Sequence, residues 1–582
     1  MASIYKKSDN TFIWLGPASD DSARAVRAIS QYHTAWSTRG DGLRASLVDE
    51  AHADEYKPLV DIEFDQPECV ANLRAIACFM LRRWWRRAWI VQEAVLSSRL
   101  EVVCGPERLS WAWIDDMLCV VRQHATSRRL LLNLPDSEEA VLADPAELLF
   151  RAILGAGQRF KRINNILGLT LLPLPHILRT LRTASSHDSR DKVYAGLGMA
   201  EKPEWYAVDY TLQTSEVFEA TTRALIHGYQ DLHALDYCTP SLILGLPSWV
   251  VDWSCASNRL PLPKQQVTGK QVYNAGGPQT WISTSDPNGV IHTRMLTFRS
   301  EGRSTLVLRG LPVDDISFLG EPTPGIGDVF LADSFPDLEA EVRVRSQQQA
   351  AREPTMSSWF RSMLRHIVEL DTIEPELRSI LGAIMDHDDV SDEWLYDLVR
   401  DGIDVEAIET PWFRSLLKEW VIPQRMPELR AVLDDTRLSD ILLLYMELKY
   451  RHTDQAIKGA FNRTVSLDCF FARSTYLGRS TEFTKQQVKE LRRTSTPLHV
   501  FSGRTVMVTT SGWMGVVPVE AQVGDLICVV SGQETPYVLR RKAGDRYTFV
   551  GECYVHGIMD GEFWLRGGGV GGVAGWPEFR VD

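Results

Sequence analysis

The sequence predicts an α+β protein with an α/β unit at its N-terminus, a largely helical middle and a β-rich unit near its C-terminus. Strand and helix patterns alternate in the first part, which is typical of α/β units. Apolar residues at helical spacing dominate the middle. Short strands around glycine turns fill the last part. At 582 residues the chain is too long for one hydrophobic core.

The N-terminal part alternates between the two patterns. "TFIWLG" predicts a strand that the Gly16-Pro17 pair ends, and a helix pattern begins near Ser22. Apolar residues at helical spacing predict a second helix over residues 69–85. The run from Ala88 to Val91 predicts a buried strand, and "LEVVCG" predicts another. We therefore expect an α/β arrangement.

The remaining patterns set the other boundaries. "LPSWVVDWS" predicts a short strand, and the Ser511-Gly512 pair predicts the turn of a β-hairpin. The predicted parts are an α/β domain at 1–105, a mainly helical region at 106–260, a mixed strand and loop region at 261–335, a helical region at 336–496, a β-rich unit at 497–566 and a flexible Gly-rich tail at 567–582.

Charge and composition exclude several classes of protein. The formal net charge is −13, which disfavours general nucleic-acid binding. The most apolar stretch, residues 163–178, contains Pro173 and Pro175 and is too short and broken to span a membrane. Nine cysteines without C-x-x-C spacing indicate reduced thiols. We expect a cytoplasmic protein with no nucleic-acid partner and no membrane span.

No sequence pattern predicts a cofactor or a metal. The sequence contains neither a P-loop nor the His and Cys spacings of a zinc site. Gly567, Gly569 and Gly572 match the spacing of a dinucleotide fingerprint, but too few residues follow for a βαβ unit. We expect no bound cofactor and no metal.

Four stretches, in this order, resemble one family. They are "FIWLGP", "WWRRAWIVQE", "SRDKVYAGLGMA" and the segment from "GWMGVVPVEAQVGDLICVV" to "YVHGIMDGE". They resemble the fungal heterokaryon-incompatibility (HET-domain) proteins. The residues that match the family's motifs are Trp14, Gly16, Trp84, Arg87, Trp89, Gln92, Glu93, Arg190, Asp191, Lys192, Gly524, Asp525, Pro536, Arg540, Gly557, Met559, Gly561 and Glu562.

The resemblance implies a role in non-self recognition and programmed cell death, through association with other incompatibility proteins or with itself. HET domains are distantly related to TIR domains, so it also implies a partial TIR-like or flavodoxin-like fold. The family's S-Y-x-W-G and C-I-N-Q segments do not occur. We therefore expect an N-terminally truncated domain with an unpaired edge strand, from a late start codon or in an inactive remnant.

Two groups of residues leave alternatives open. "RRWWRRAWIVQE" is best interpreted as core, with an interaction surface or nucleic-acid binding as alternatives. Glu93 is the candidate catalytic residue if the chain cleaves NAD as some TIR domains do; otherwise it pairs with Arg87. The Arg190-Asp191-Lys192 motif predicts a helix cap and ion pair rather than a site.

Overall fold

The computed structural model describes the chain in segments. These are residues 2–19, 21–38, 67–131, 172–182, 184–201, 207–229, 231–255, 298–302, 304–320, 503–563 and 576–582, with shorter stretches at 149–163, 259–294, 362–366 and 469–479. The chain divides into two compact units. The first consists mainly of Met1–Gly228, and the second mainly of Tyr229–Asp252, Asn258–Gly325 and Glu353–Asp582.

The first unit contains α-helices and a small sheet. The helices are Ala2–Lys6 (α1), Ser22–Thr38 (α2), Pro67–Met80 (α3), Trp89–Val95 (α4), Trp111–Leu131 (α5), Leu174–Arg182 (α6), Asp191–Leu197 (α7) and Thr214–Tyr229 (α8). The strands are Thr11–Trp14 (β1), Leu100–Cys104 (β2) and Glu107–Ser110 (β3).

The sheet of the first unit combines one parallel and one antiparallel pair. β1 runs parallel to β2 after a crossover that contains α2, α3 and α4. β2 turns back through a hairpin to β3. Ile13, Val102 and Leu109, one from each strand, are buried on the same face of the sheet. Helices and sheets in one chain confirm the α+β class.

Two of the strands that the sequence predicted do not form. Residues 88–91 contribute to α4, and Ile90, Val91, Ala94 and Val95 are buried on one face of that helix. A short apolar run fits a buried helix as well as a buried strand, so periodicity could not separate them. "LPSWVVDWS" forms turns, although Trp249, Val250 and Val251 within it are buried.

The second unit is rich in strands. They are Trp281–Asp286 (β4), Gly289–Arg294 (β5), Phe298–Glu301 (β6), Thr305–Leu319 (β7), Cys469–Ala472 (β8), Thr475–Arg479 (β9), Arg504–Thr509 (β10), Met514–Pro518 (β11), Leu526–Val530 (β12), Tyr537–Lys542 (β13), Arg546–Glu552 (β14), Tyr554–Val555 (β15) and Glu578–Val581 (β16). The region 336–496, predicted to be helical, contains the hairpin β8–β9, in which two short runs with aromatic residues form strands. Most of that region lies outside the described residues.

Five of these strands form a closed ring. β12 pairs with β13, β13 with β14, β14 with β16, β16 with β7, and β7 again with β12. β7 is 15 residues long and pairs with four strands: β6 and β16 along its first part, then β12, then β10. A closed ring leaves none of these five strands at an edge, which is how β-barrels protect their backbone groups.

A buried ion pair lies within the second unit. Arg504 and Glu552 have completely buried side chains, and Nη2 of the arginine lies 2.9 Å from Oε1 of the carboxylate. The same arginine donates to the carbonyl oxygen of Glu552, and the backbone N–H of Leu262 donates to the carboxylate. These extra donors compensate for the lost hydration of the buried charges.

The predicted flexible tail ends in a strand. β16 pairs antiparallel with β7, from Glu578 opposite Arg309 to Val581 opposite Leu306, and Phe579 and Val581 are buried. The tail prediction is therefore wrong for its last residues, because a four-residue strand after a glycine run carries little local pattern. Within the described ranges, no helix is both long and apolar enough to cross a membrane.

Glu578 on β16 gives the second unit a defined response to acid. The guanidinium of Arg299 on β6, and then that of Arg309 on β7, bond to the Glu578 carboxylate and lower its pKa to about 2. A depressed pKa stabilises the fold at pH values above the ordinary glutamate pKa, and that stabilisation is lost as the pH falls towards 2.

We predict that Glu578→Gln lowers the melting temperature near neutral pH and that its difference from the wild type shrinks as the pH falls through 4.5 towards 2. Thermal unfolding followed by circular dichroism over this pH range measures the difference. Glu68→Gln is the control, because that side chain is 82% exposed. A difference that does not vary with pH would contradict the predicted role of the Glu578 carboxylate.

Candidate functional site

The carboxyl end of β1 and the loop after it are occupied by the side chain of Arg82. Its guanidinium donates to the carbonyl oxygens of Leu15 at 3.1 Å and Pro17 at 2.8 Å. It also donates to the hydroxyls of Ser19 at 3.0 Å and Ser22 at 2.9 Å. In α/β sheets, ligand sites lie at this end of the strands. Here the protein's own arginine fixes the loop that leads into α2.

Two glycines allow the close approach of chain segments at this end. Gly16 has a φ of 106°, a backbone conformation that other residues rarely adopt. Its carbonyl oxygen accepts a hydrogen bond from the N–H of Gly105, which follows β2. A Cβ atom on Gly105 would lie 2.6 Å from the Cβ of Ala18. The turn after β1 therefore explains why the motif has a glycine at position 16.

Glu93 lies near the other end of the parallel strands. It belongs to α4, and its side chain shares a hydrogen bond with the hydroxyl of Tyr5 on α1. Its carbonyl oxygen accepts from Ser97, whose hydroxyl lies 2.7 Å from that of Thr11, the first residue of β1. The expectation that Glu93 follows a parallel strand is therefore wrong. The candidate catalytic glutamate is on the amino side of the pair.

The electrostatic surroundings of Glu93 are defined by burial and two neighbours. Partial burial raises the pKa of its carboxyl group, while the charge of Arg87 and the hydrogen bond from Tyr5 act to lower it. Burial is also the main cause that raises the pKa of Tyr5. The Tyr5 phenol therefore keeps its proton and donates the hydrogen bond to the Glu93 carboxylate.

The tryptophans of the "WWRRAWIVQE" segment pack inside the first unit. Trp84 and Trp85 are buried with ring centroids 5.1 Å apart, and the rings of Trp111 and Phe160 extend the cluster. The indole N–H of Trp85 donates to the carbonyl oxygen of Phe79 at 3.0 Å. Such a cluster contributes a large buried apolar area to the core.

The other members of this segment differ in exposure. Gln92 is buried, Trp89 is half-buried and Arg87 is exposed. The backbone around Arg87 forms an isolated parallel bridge with Ser185, where Ala88 donates to the Ser185 carbonyl oxygen at 2.9 Å. Most of the segment is therefore core, and Arg87 lies at its solvent-facing side.

The Arg190-Asp191-Lys192 motif fixes the start of α7. Arg190 makes a two-pronged ion pair with Asp188 and donates to the carbonyl oxygens of Tyr210 and Leu212 at 2.6 and 2.7 Å. Asp191 accepts a hydrogen bond from the Tyr210 hydroxyl at 2.7 Å. Both oxygens of the Asp188 carboxylate are thus bound by the arginine.

Lys192 is buried and serves the end of the preceding helix. Its ammonium group donates to the carbonyl oxygens of Leu181 at 3.3 Å, Arg182 at 3.0 Å and Ala184. Two of these are among the last carbonyls of α6, which have no partner within that helix. A cation is also favoured at the C-terminal end of a helix dipole.

The C-terminal motif residues stabilise turns of the second unit. Buried Asp525 accepts two hydrogen bonds from Arg540, both at 2.8 Å, and one from the N–H of Gln522. The ion pair joins Asp525, the residue before β12, to Arg540 on β13. The N–H of Gly524, whose φ is 92°, donates to the carbonyl oxygen of Ile316 on β7.

The remaining motif residues lie around β13 to β15. Buried Pro536 accepts a hydrogen bond from the N–H of Cys553 through its carbonyl oxygen. Gly557 and Gly561 occupy turns after β15, and buried Met559 lies between them. Glu562 accepts from the N–H of Asp560 at 2.7 Å. No group of three or more potential metal ligands occurs in the part of the chain that the structure describes.

Comparison with known proteins gives the family. Residues 1–93 match the family model "Heterokaryon incompatibility protein (HET)", and residues 484–567 match the "Het-6 beta-barrel domain". The chain is a HET domain-containing protein. The HET match ends at Glu93, so it covers β1, the Arg82 loop and the "WWRRAWIVQE" segment.

A curated relative of this HET domain-containing protein spans most of both chains. It is "Heterokaryon incompatibility protein 6, OR allele" from Neurospora crassa, which is 23% identical over 97% of this chain and 78% of its own length. No solved structure matches the chain significantly. The sequence-based resemblance is confirmed. Arg82, Ser22 and Tyr5 were missed, since "RRWWRR" does not show which arginine folds back onto the β1 loop.

We predict that Arg82→Ala destabilises this HET domain-containing protein by about 1–3 kcal/mol, because two backbone carbonyls and two hydroxyls lose a charged donor. Urea denaturation measures the change. Arg27→Ala is the control, since this arginine of α2 is exposed and a surface change of this kind costs about 0.5 kcal/mol or less. Equal effects of the two substitutions would contradict the assigned role of Arg82.

Proposed function

We propose that this HET domain-containing protein acts in fungal non-self recognition and triggers programmed cell death. It does so in the cytoplasm, by associating with other incompatibility proteins or with a second copy of itself. The observation that carries the proposal is the presence, in one chain, of a HET match and a Het-6 barrel match. The heterokaryon incompatibility protein that aligns over 97% of the chain supports it.

A TIR-like or flavodoxin-like architecture of the N-terminal unit is part of this proposal. The parallel pair β1–β2, joined by a crossover with helices, supports it, because such units build doubly wound α/β folds. The inner face of the sheet packs against helices, and α2 and α5 are the long helices of this unit.

The geometry favours association over catalysis. Arg82 fills the end of the sheet where an α/β ligand site would lie, and Glu93 is near the opposite end. Arg190, Asp191 and Lys192 make contacts within the fold. The described motif residues thus stabilise the scaffold, and the exposed surface is left for recognition.

Inducible expression of this chain in a filamentous fungal host tests the proposal. We predict growth arrest and cell death after induction, with the cellular NAD level unchanged before death begins. Glu93→Gln should kill equally, because the proposed activity is association. The wild-type chain and the variant are compared at matched protein levels by immunoblotting.

Each other outcome has a definite meaning. Normal growth at matched protein levels would contradict the proposal and support an inactive remnant. A fall in NAD that precedes death and that Glu93→Gln abolishes would contradict association as the mechanism and support NAD cleavage. A Glu68→Gln variant controls for the loss of a surface carboxylate, because Glu68 is 82% exposed.

A further inference from the structure

Tyr5 and Glu93 join the helix α1 to the helix α4. The phenol of Tyr5 donates a hydrogen bond to the carboxylate of Glu93, which lies in the last turn of α4. The hydroxyl of Ser97, just after α4, donates to the carbonyl oxygen of Glu93 and lies 2.7 Å from the hydroxyl of Thr11 on β1. Glu93 therefore contacts α1 through its side chain and is linked to the start of β1 through its backbone.

Two more hydroxyl contacts join the same connections. The hydroxyl of Ser98 donates to the carbonyl oxygen of Ser8 at 2.8 Å, and the hydroxyl of Ser8 donates to the carbonyl oxygen of Tyr5 at 2.9 Å. Serine and threonine hydroxyls stay neutral, so these contacts do not respond to pH. We call this set of contacts the α1 junction, and its residues are Tyr5, Ser8, Thr11, Glu93, Ser97 and Ser98. Glu93 is the member whose charge changes below neutral pH.

Burial and two neighbouring groups determine how easily Glu93 becomes charged. Burial has the largest effect and raises the pKa of the Glu93 carboxyl above its ordinary value. The charge of Arg87, which precedes α4, and the hydrogen bond from Tyr5 on α1 both act to lower this pKa, but they do not cancel the effect of burial. The charged form of Glu93 is therefore only partly compensated for its lost hydration.

The sign of the pH response follows from this imbalance. When the α1 junction opens, water reaches the Glu93 carboxyl and its pKa returns towards the ordinary value of 4.5. Because the pKa is higher in the closed junction, the closed form is most stable below this ordinary value and loses stability as the pH rises through the raised pKa. A protonated Glu93 still has an oxygen that accepts from Tyr5, so acid does not remove the hydrogen bond.

We propose that Glu93 makes the α1 junction a pH-responsive contact, which holds α1 and the start of β1 more firmly in mild acid than at neutral pH. A glutamine at this position would accept the same hydrogen bond without a buried charge, so it would keep the junction closed at every pH. The inference goes beyond the proposed function, because it assigns a regulatory contact that needs neither a partner nor a reaction.

Hydrogen–deuterium exchange of the full chain tests the contact, with each rate corrected for the intrinsic effect of pH. Between about pH 4.5 and about pH 8, the protection of residues 2–14 in the wild type should fall severalfold. Glu93→Gln should abolish this fall and keep, near pH 8, the protection that the wild type has near pH 4.5. The strand β11 serves as the internal reference and should keep its protection throughout.

Three further variants separate the charge of Glu93 from a merely structural role. Tyr5→Phe removes the donor that partly compensates the carboxylate, so it should lose more protection at neutral pH than in acid. Ser98→Ala removes a neutral hydrogen bond and should lower protection by the same factor at every pH. Glu68→Gln should behave like the wild type, because that side chain is 82% exposed. Circular dichroism should show the same helix and strand content for all variants.

Several results would overturn the inference. These are a wild-type protection of residues 2–14 that does not vary with pH or that falls towards acid, and a Glu93→Gln variant that retains the pH dependence of the wild type. A parallel change in β11 would also overturn it, because the response would then belong to the whole fold and not to the α1 junction.

Discussion

The second unit depends on one long strand, β7, which pairs with β16, β12 and β10 as well as with the neighbouring β6. Leu306 to Arg309 pair with β16, the stretch from Gly310 to Asp315 pairs with β12, and the remainder pairs with β10. These partners come from distant parts of the sequence, so forming the ring costs considerable loop-closure entropy. The compensation is burial: every residue of β10, β11 and β12 is buried.

Charged motif residues stabilise helix ends and turns in each of the two units. Lys192 satisfies carbonyls at the end of α6, and Asp525 with Arg540 fixes the approach to β12. In each case a charged group bonds to polar groups that would otherwise be buried without a partner. Leaving such a group unsatisfied costs more free energy than an ordinary hydrogen bond contributes to stability. These charged motif residues are therefore explained by folding requirements.

Elements that a local sequence pattern defines could be predicted, whereas elements that depend on contacts between distant residues were missed. The hairpin around Ser511-Gly512 was predicted correctly because alternating apolar residues flank a turn pair, and Gly512 indeed has a φ of 87°. The run from Ala88 to Val91 was assigned to the wrong element because four apolar residues fit either structure. β16 was missed because only its pairing with β7 makes it a strand. For the same reason, Arg82 was missed as the residue that fixes the β1 loop.

The closed ring is tested most directly at the seam between β7 and β12. A Cβ atom on Gly310 would lie 2.7 Å from the carbonyl oxygen of Val529 and 2.8 Å from Sγ of Cys528, so Gly310→Ala must push the two strands apart. Hydrogen–deuterium exchange of the variant and the wild type measures where protection is lost. We expect faster exchange in β7 and β12 with unchanged exchange in β1 and β2. Unchanged protection along β7 and β12 would contradict a ring closed by these strands.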